Sequence, residues 1–406
     1  MRGMGRWARA KADYLVFIGA GEWPVLVSAI GVLLGVLTIL PSAVAVVLSI
    51  VALVLGILSF GRDLRQLRER WSAYEFSAIA APFPREEWPP PVAYGGARYL
   101  VVPNRGTALV GDELDRAVCG QEFAIDVAEA PYRLPPLLKA TAPHVLPLRA
   151  RGRLLFNGPV IGMHADPLPA VAGPRTPIRL HKARFFDAQC SNELCSLRIS
   201  RRDTGETFDL RQRALIDPTG HVRTLAASEL ADIVGVSTVA FTADGFLVLV
   251  NQSSRNSASP LLLAPSGSGS LEPRDLSAGD TLRTVLAAGM EREMCEETGL
   301  LPGEVTATRL VGFARWMERG AKPEFFGLTR LSVTRDELRS RRPDSAERLY
   351  SAGVAFAEVD LAALGSELAA GADLAAASAL DRDLLDRGSL PLLLALRAAA
   401  IWTVGA

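Results

Sequence analysis

The chain has 406 residues, enough for two ordinary domains and additional segments. Lysine plus arginine and aspartate plus glutamate number 44 each, so the neutral chain gives no electrostatic reason to expect nucleic acid as a partner. The four cysteines are too few for a disulfide scaffold at this length. Cys190 and Cys195 have a spacing that a zinc site could use, but ordinary thiols are the favoured interpretation because no second Cys or His pair completes four ligands.

A stretch of 39 residues without charge, Trp23–Gly61, follows a basic N-terminal segment over 1–23. A membrane-spanning helix needs about 20 apolar residues, and Pro41-Ser42 divides the stretch into Pro24–Leu40 and Ser42–Phe60. Basic residues flank both sides, which favours two spans over one, and a signal peptide would have an apolar core of only about 7–15 residues. The sequence therefore predicts a transmembrane helical hairpin over 24–60, localisation in the cell membrane with both termini cytoplasmic, and the lipid bilayer as a partner.

Two regions without a recognised motif come next. Over 61–91 a charged juxtamembrane helix is predicted to lead into a stiff linker, since five prolines lie between residues 82 and 91. Over 92–230 short apolar runs alternate with Pro and Gly, which is typical of a β-rich or mixed α+β domain, here a cytoplasmic one. Its polar groupings His164-Ala165-Asp166 and Ser191-Asn192-Glu193 fit turn and cap roles. The function of this region stays unassigned.

From residue 231 the pattern is that of a sheet followed by a helix. Val234–Thr242 and Phe246–Asn251 predict two strands joined by a hairpin turn. Asp280–Thr298 predicts a helix, for which Gly299 is a glycine C-cap. Val354–Val359 predicts a closing strand, and the alanine- and leucine-rich stretches after it predict helices that pack on the sheet.

Three carboxylates cluster on the predicted helix. Glu293, Glu296 and Glu297 are three and four residues apart and share one face. Like charges at this spacing destabilise a helix by roughly 0.2–0.5 kcal/mol per pair, unless a cation lies between them. Magnesium prefers oxygen ligands and commonly joins carboxylates to substrate phosphates. A solvated acidic face is the alternative, but the glycine-rich segment upstream favours metal-assisted attack on a phosphate chain.

The segment Gly269–Leu300 resembles the signature of the Nudix hydrolase family: Gly, five residues, Glu, seven residues, then Arg-Glu-aliphatic-any-Glu-Glu-any-Gly-aliphatic. The second half is matched at every fixed position by Arg292, Glu293, Met294, Glu296, Glu297, Gly299 and Leu300. The first half departs, because Asp275 stands where the family has glutamate and sixteen residues instead of seven, 276–291, precede Arg292. The resemblance covers residues 231–406 and implies an α/β/α sandwich around a mixed sheet.

The resemblance also implies roles for individual residues. Glu296 and Glu297 would be the principal ligands of Mg²⁺ or Mn²⁺, Glu293 would support the metal or help to activate water, and Asp275 would add a further carboxylate. Arg292 would orient a carboxylate of the cluster through an ion pair.

The remaining implied positions lie in loops or outside the motif. Gly269 would shape the loop where the backbone approaches metal or phosphate, and Gly299 would end the helix. Family members often use one more carboxylate from elsewhere, and the candidates are Glu318, Glu324 and Glu337.

The predicted function is that of a membrane-anchored Nudix-type pyrophosphohydrolase. It would cleave a phosphoanhydride of a nucleoside diphosphate derivative, with a divalent metal offsetting the charge on the phosphate oxygens. One alternative is a non-catalytic module of the same fold that binds a nucleotide as a sensor. Another is a scaffold that retains only a vestige of the enzyme. The intact glutamates favour the enzyme, whereas Asp275 and the insertion favour the sensor.

Overall fold

The computed structural model describes residues 2–19, 27–28, 30–32, 43–71, 73–79, 83, 85–150, 155–168, 176–253, 261–343 and 351–405. The helices in these ranges, in chain order, are α1 (Arg2–Gly19), α2 (Ala43–Trp71), α3 (Asp112–Gly120), α4 (Pro136–Ala150), α5 (Phe185–Gln189), α6 (Leu282–Thr298), α7 (Arg335–Arg339), α8 (Leu361–Ala369), α9 (Arg382–Arg387) and α10 (Leu390–Gly405). The strands are β1 (Tyr74–Ala78), β2 (Arg98–Val102), β3 (Gly106–Val110), β4 (Ile125–Val127), β5 (Pro159–Met163), β6 (Ile178–Arg184), β7 (Leu197–Arg201), β8 (Thr207–Asp209), β9 (Gly235–Phe241), β10 (Leu247–Gln252), β11 (Leu263–Ala264), β12 (Gly267–Ser270), β13 (Val305–Trp316), β14 (Lys322–Leu331) and β15 (Ser351–Ala357).

A nine-stranded mixed sheet organises the C-terminal half. Its order is β11-β10-β9-β14-β13-β3-β2, and β12 and β15 pair with β9 and β10. The pair of β9 with β14 is parallel, whereas β13 and β14 run antiparallel. Two three-stranded sheets, β1-β7-β8 and β4-β6-β5, lie in the preceding region. The predicted fold class, an α/β/α sandwich preceded by a transmembrane hairpin and a β-rich or mixed domain, is therefore wrong. The fold is mixed α/β with several sheets.

The large sheet buries both faces against helices. Alternate residues of a strand point to opposite faces. Accordingly Val236 of β9 packs with Val285 and Met290 of α6, whereas Val239 packs in the cluster that contains Leu393 of α10. All seven residues of β9, predicted as a strand from its valines and threonine, are buried, which fits a strand with two covered faces.

Strands from both sides of residue 230 build this sheet. Trp316 of β13 pairs with Ala108 of β3, and β3 pairs with β2. Further along, the Ile161 N–H of β5 donates to the Leu271 carbonyl, and the Val234 N–H donates to the Ile161 carbonyl. The region over 92–230 is thus joined by backbone hydrogen bonds to the part of the chain that carries the predicted motif.

The predicted transmembrane hairpin is wrong. In the ranges described above, no helix is both long enough and apolar enough to cross a membrane. The first predicted span, Pro24–Leu40, lies largely outside these ranges. The second runs on without a break into the charged segment as one helix, α2, and Ser28 Oγ donates a hydrogen bond to Asp63 Oδ2 of this helix at 2.7 Å. Localisation as a two-helix membrane protein is wrong for the same reason.

Candidate active site on helix α6

The helix that carries the three glutamates has defined ends. Thr281 is its N-cap, with the side chain accepting from the Thr284 N–H, and Gly299 is its C-cap in the left-handed region at φ 78°. A left-handed residue of this kind ends a helix at little conformational cost when it is glycine. The predicted helix over 280–298 and its glycine C-cap are confirmed within two residues.

Strand β12 crosses the acidic face of α6 at close range. A Cβ on Gly267 would lie 2.4 Å from the Met294 nitrogen, and one on Gly269 would lie 2.1 Å from Glu293 Oε1. Between them the Ser268 N–H donates to Glu297 Oε2 at 2.9 Å. The alternation of glycine and serine here follows from this packing. Gly269, predicted to shape a loop, lies in a strand whose backbone rests on the Glu293 carboxylate.

Arg292 gathers the acidic groups. Its Nε and Nη2 donate to the two oxygens of Asp275 at 2.8 and 3.0 Å. Its Nη1 donates to Glu293 Oε1 at 2.8 Å and to Glu296 Oε2 at 3.3 Å, and Nη2 also donates to the Ser270 carbonyl. Burial opposes the charge, but the hydrogen bonds to Asp275 and the charges of Glu293 and Asp275 outweigh it and raise the pKa of the Arg292 guanidinium above its ordinary value.

Asp275 is placed as the partner of this arginine. Both of its oxygens are engaged by Arg292, and Oδ2 also accepts the Glu272 N–H at 2.8 Å. The residue is only 5% exposed. A bidentate guanidinium–carboxylate pair is directional as well as strong. Asp275 therefore holds Arg292 in place, a different task from the metal ligation predicted for it.

Sequence reasoning missed Arg274. Its Nη2 lies 2.9 Å from Glu296 Oε1, and its Nε lies 2.7 Å from Glu272 Oε2. Glu296 thus faces two guanidinium groups, one on each oxygen. The sequence places Arg274 directly before Asp275, and this proximity was the available signal for a role at the site. The spacing of loop residues does not define the direction of a side chain, so the contact with Glu296 could not be predicted.

The insertion between Asp275 and Arg292 forms a short 3-10 turn, Asp275–Ala278, and the first turns of α6. These turns dock on the segment that follows α3. The Leu282 N–H donates to the Phe123 carbonyl and the Ile125 N–H donates to the Asp280 carbonyl. Arg283 Nη2 also donates to the carbonyls of Cys119, in the last turn of α3, and of Gln121. The extra residues attach the site helix to the preceding region.

Glu324 lies away from the α6 carboxylates. It pairs with Lys322 of the same strand, Nζ to Oε1 2.5 Å, and both are buried. A Cβ on Gly235 would lie 1.8 Å from Glu324 Oε2. The next residue, Phe325, packs in the cluster of α6, so Glu324 points to the opposite face of the sheet.

The other two candidate carboxylates have structural partners elsewhere. Glu318 accepts the Thr107 N–H with both oxygens, at 2.8 and 2.9 Å. Glu337 forms a capping box with Thr334 at the start of α7. The structure therefore brings together Asp275, Arg292 and the three glutamates of α6, and it does not add Glu318, Glu324 or Glu337 to them.

The donor atoms suit a hard divalent cation, since all are carboxylate oxygens. As they stand, Glu293 and Glu296 share the Arg292 guanidinium, and Glu297 accepts from the backbone. No group of three or more His, Cys, Asp or Glu side chains in the described part of the chain is arranged to hold a metal ion. A cation at Glu296 and Glu297 would have to displace a guanidinium from Glu296.

Comparisons with known proteins add little. No family model matches the chain, and no curated protein matches it. Among solved structures, the crystal structure of DR0079 from Deinococcus radiodurans is similar at 16% sequence identity and a TM-score of 0.24, over 43% of this chain and 94% of that chain. A similarity at this TM-score supports no inference about function.

The predicted membership of the Nudix family is therefore wrong. The resemblance rests on the second half of one short motif, and neither comparison extends it to a family. The first half departs from the motif at Asp275 and at the insertion. In the structure Asp275 forms an ion pair with Arg292, and the insertion contacts the segment after α3.

Proposed function

We propose that this chain is a divalent-metal-dependent hydrolase that cleaves a phosphoanhydride bond in a nucleoside diphosphate derivative. The observation that carries the proposal is the placement of Glu293, Glu296 and Glu297 on one face of α6, against the backbone of β12. The side chains of Glu293 and Glu296 are 13% and 24% exposed, and Glu297 is 7% exposed. Together with Asp275 the three glutamates carry four negative charges against the two positive charges of Arg274 and Arg292, and this excess favours a cationic ligand.

Glu296 and Glu297 would hold Mg²⁺ or Mn²⁺, and Glu293 would hold or orient the attacking water. The cation supplies charge neutralisation on the phosphate oxygens and a water of lowered pKa. Arg292 fixes Glu293 and Glu296 relative to each other, and Asp275 fixes Arg292. The chain's own contribution is thus a set of carboxylate oxygens on one face of α6, of which those of Glu296 would exchange a guanidinium for the cation.

The experiment uses the full chain. Nucleoside diphosphates linked to a phosphate, a sugar or a second nucleoside are incubated with Mg²⁺ or Mn²⁺, and cleavage of the phosphate chain is followed. We expect turnover that falls at least about a hundredfold in Glu296→Gln and in Glu297→Gln, since each removes one ligand charge without a change of shape. Glu291→Gln is the matched control, because Glu291 lies on α6 and is not among the partners of Arg292.

Turnover unaffected by either substitution would refute the assignment of the site. A second candidate function is a nucleotide-binding module without catalysis. The finding that favours it is that the carboxylates within the described residues form no group of three suited to a metal ion. This second function would be established if the wild type binds the same nucleotides saturably and does not cleave them over hours. Glu296→Gln should then bind them with unchanged affinity.

A further inference from the structure

Two histidines are stacked where the region over 92–230 meets the part of the chain that carries α6. The rings of His164 and His181 lie 4.2 Å apart between centroids, tilted by 44°. His164 Nε2 lies 3.2 Å from the Leu230 carbonyl, and His181 Nε2 lies 3.0 Å from the Ala231 carbonyl. Both imidazoles therefore hold consecutive carbonyls of the strand-like segment that leads into β9.

The contacts define the proton positions. A carbonyl only accepts, so each Nε2 carries the hydrogen and each Nδ1 is the site of further protonation. In the described residues, His181 Nδ1 is buried and has no hydrogen-bond partner. A Cβ on Gly162 would lie 2.2 Å from His181 Nε2 and from the Ala231 carbonyl oxygen. His181 is itself only 5% exposed, so a proton added to Nδ1 would be buried.

The same segment is connected to the loop of the candidate active site. Asp232 accepts the Met163 N–H through its carbonyl, and the Val234 N–H donates to the Ile161 carbonyl. Ile161 in turn donates to the Leu271 carbonyl, and the Leu271 N–H donates to the Val234 carbonyl. Leu271 directly follows Ser270, whose carbonyl accepts from Arg292. Release of residues 230–234 would thus loosen the loop that positions Asp275.

We propose that His164 and His181 form an acid-sensitive joint, closed when His181 is neutral, that fastens the region over 92–230 to the loop 269–275. Protonation of His181 adds a positive charge next to the His164 ring, and the new N–H at Nδ1 has no hydrogen-bond acceptor in the described residues. Acid therefore favours an open state, in which the two rings have left the carbonyls and Nδ1 contacts solvent. The proposal does not depend on the hydrolytic activity proposed above.

The other ionisable groups around the pair do not offer His181 a counter-ion. Tyr132 stacks on it at 5.6 Å and donates its hydroxyl to the Glu229 carbonyl. Asp232, which is fully buried, interacts electrostatically with His164 and Tyr132 and accepts from Asn192. Arg315, which is buried, faces Asp232, and Asp187 and Glu229 face Tyr132. Arg179 and Lys182 are exposed on β6.

The lowered pKa of His181 also supports an acid-sensitive joint. Burial first, and the neighbouring charge of His164 second, lower the pKa of His181 from 6.5 to about 4, although its bond to the Ala231 carbonyl opposes this. A histidine depressed in this way stabilises the closed state above pH 6.5, and that stability is lost as the pH falls towards 4.

The test is amide hydrogen exchange on the full chain at pH 7 and pH 5, corrected for the intrinsic exchange rates. The reporters are the amides of Ile161, Val234 and Leu271. In the wild type we expect their protection to fall by about tenfold or more between the two pH values, from the shift of His181. In His181→Gln, which keeps an N–H donor but does not titrate, the fall should be less than about threefold.

His221 provides the matched control, because it lies in an exposed turn with Thr219 and Asp217. His221→Gln should retain the wild-type fall. His164→Gln is a second variant for the case that His181→Gln does not fold, and it should reduce the fall because it removes the neighbouring charge. An unchanged protection of the three amides in the wild type, or a full tenfold fall in both pair variants, would overturn the proposal.

Discussion

Removal of the Arg292 guanidinium should be the most destabilising single change at the candidate site. Its side chain is 11% exposed and that of Asp275 is 3% exposed, and the pair is bidentate. Removing one partner of a buried ion pair leaves the other charge uncompensated, at about 3–5 kcal/mol. We therefore expect Arg292→Met to lower the free energy of unfolding by about 3–5 kcal/mol at pH 7.

Urea denaturation followed by circular dichroism measures this change, provided that the slope of the unfolding free energy against urea concentration is the same in wild type and variant. Arg274→Met is the matched control: its side chain is 55% exposed and pairs with Glu272 and Glu296, so about 1 kcal/mol or less is expected. Adding Asp275→Asn to Arg292→Met should recover part of the loss, since the buried charge is then removed. A loss for Arg292→Met no larger than that for Arg274→Met would refute the central role of this arginine.

Three further outcomes are expected. Gly269→Ala should displace Glu293 and abolish the proposed turnover while lowering stability by about 1–3 kcal/mol in thermal denaturation, whereas Gly303→Ala, where no atom lies within 4 Å, should leave both unchanged. Burial raises the pKa of Asp115 to about 6, against the opposing charge of Arg397, so its contribution to stability is present below about pH 3.8 and is lost as the pH rises through 6. Relative to Asp115→Asn, the wild type should lose about 2–3 kcal/mol of unfolding free energy between pH 4 and 7 in urea titrations, and a parallel pH dependence would contradict this. A chelator should abolish the proposed hydrolysis and added Mg²⁺ or Mn²⁺ should restore it; turnover that survives exhaustive chelation would rule out the metal.

Local patterns were readable from the sequence. Periodicity and a glycine C-cap located α6, and β-branched residues located β9. The grouping of the three glutamates on one face follows from helical geometry alone. What lay beyond reach were contacts between residues far apart in the chain, such as the docking of α6 on the Phe123 carbonyl or the His164–His181 stack.

Two differences between the predictions and the structure have specific causes. The uncharged run before residue 61 established only that its residues carry no charge, whereas among the described residues no helix meets the length and hydropathy that a membrane span requires. The charged helix predicted after residue 61 is present, as the continuation of α2 up to Trp71. The predicted metal role of Asp275 came from its position in the motif, whereas the structure engages both of its oxygens with a guanidinium seventeen residues further on.

The pairing of β3 with β13 limits how the chain can be divided. A fragment that starts at residue 231 would lack Ala108 and Leu109, which pair with Trp316 and Arg315. The bare strand would offer its unpaired backbone groups to any other strand, which is a common route to aggregation. The same cut would remove the Phe123 carbonyl that receives the first amide of α6. A truncated protein that retains this sheet edge has to begin ahead of β2.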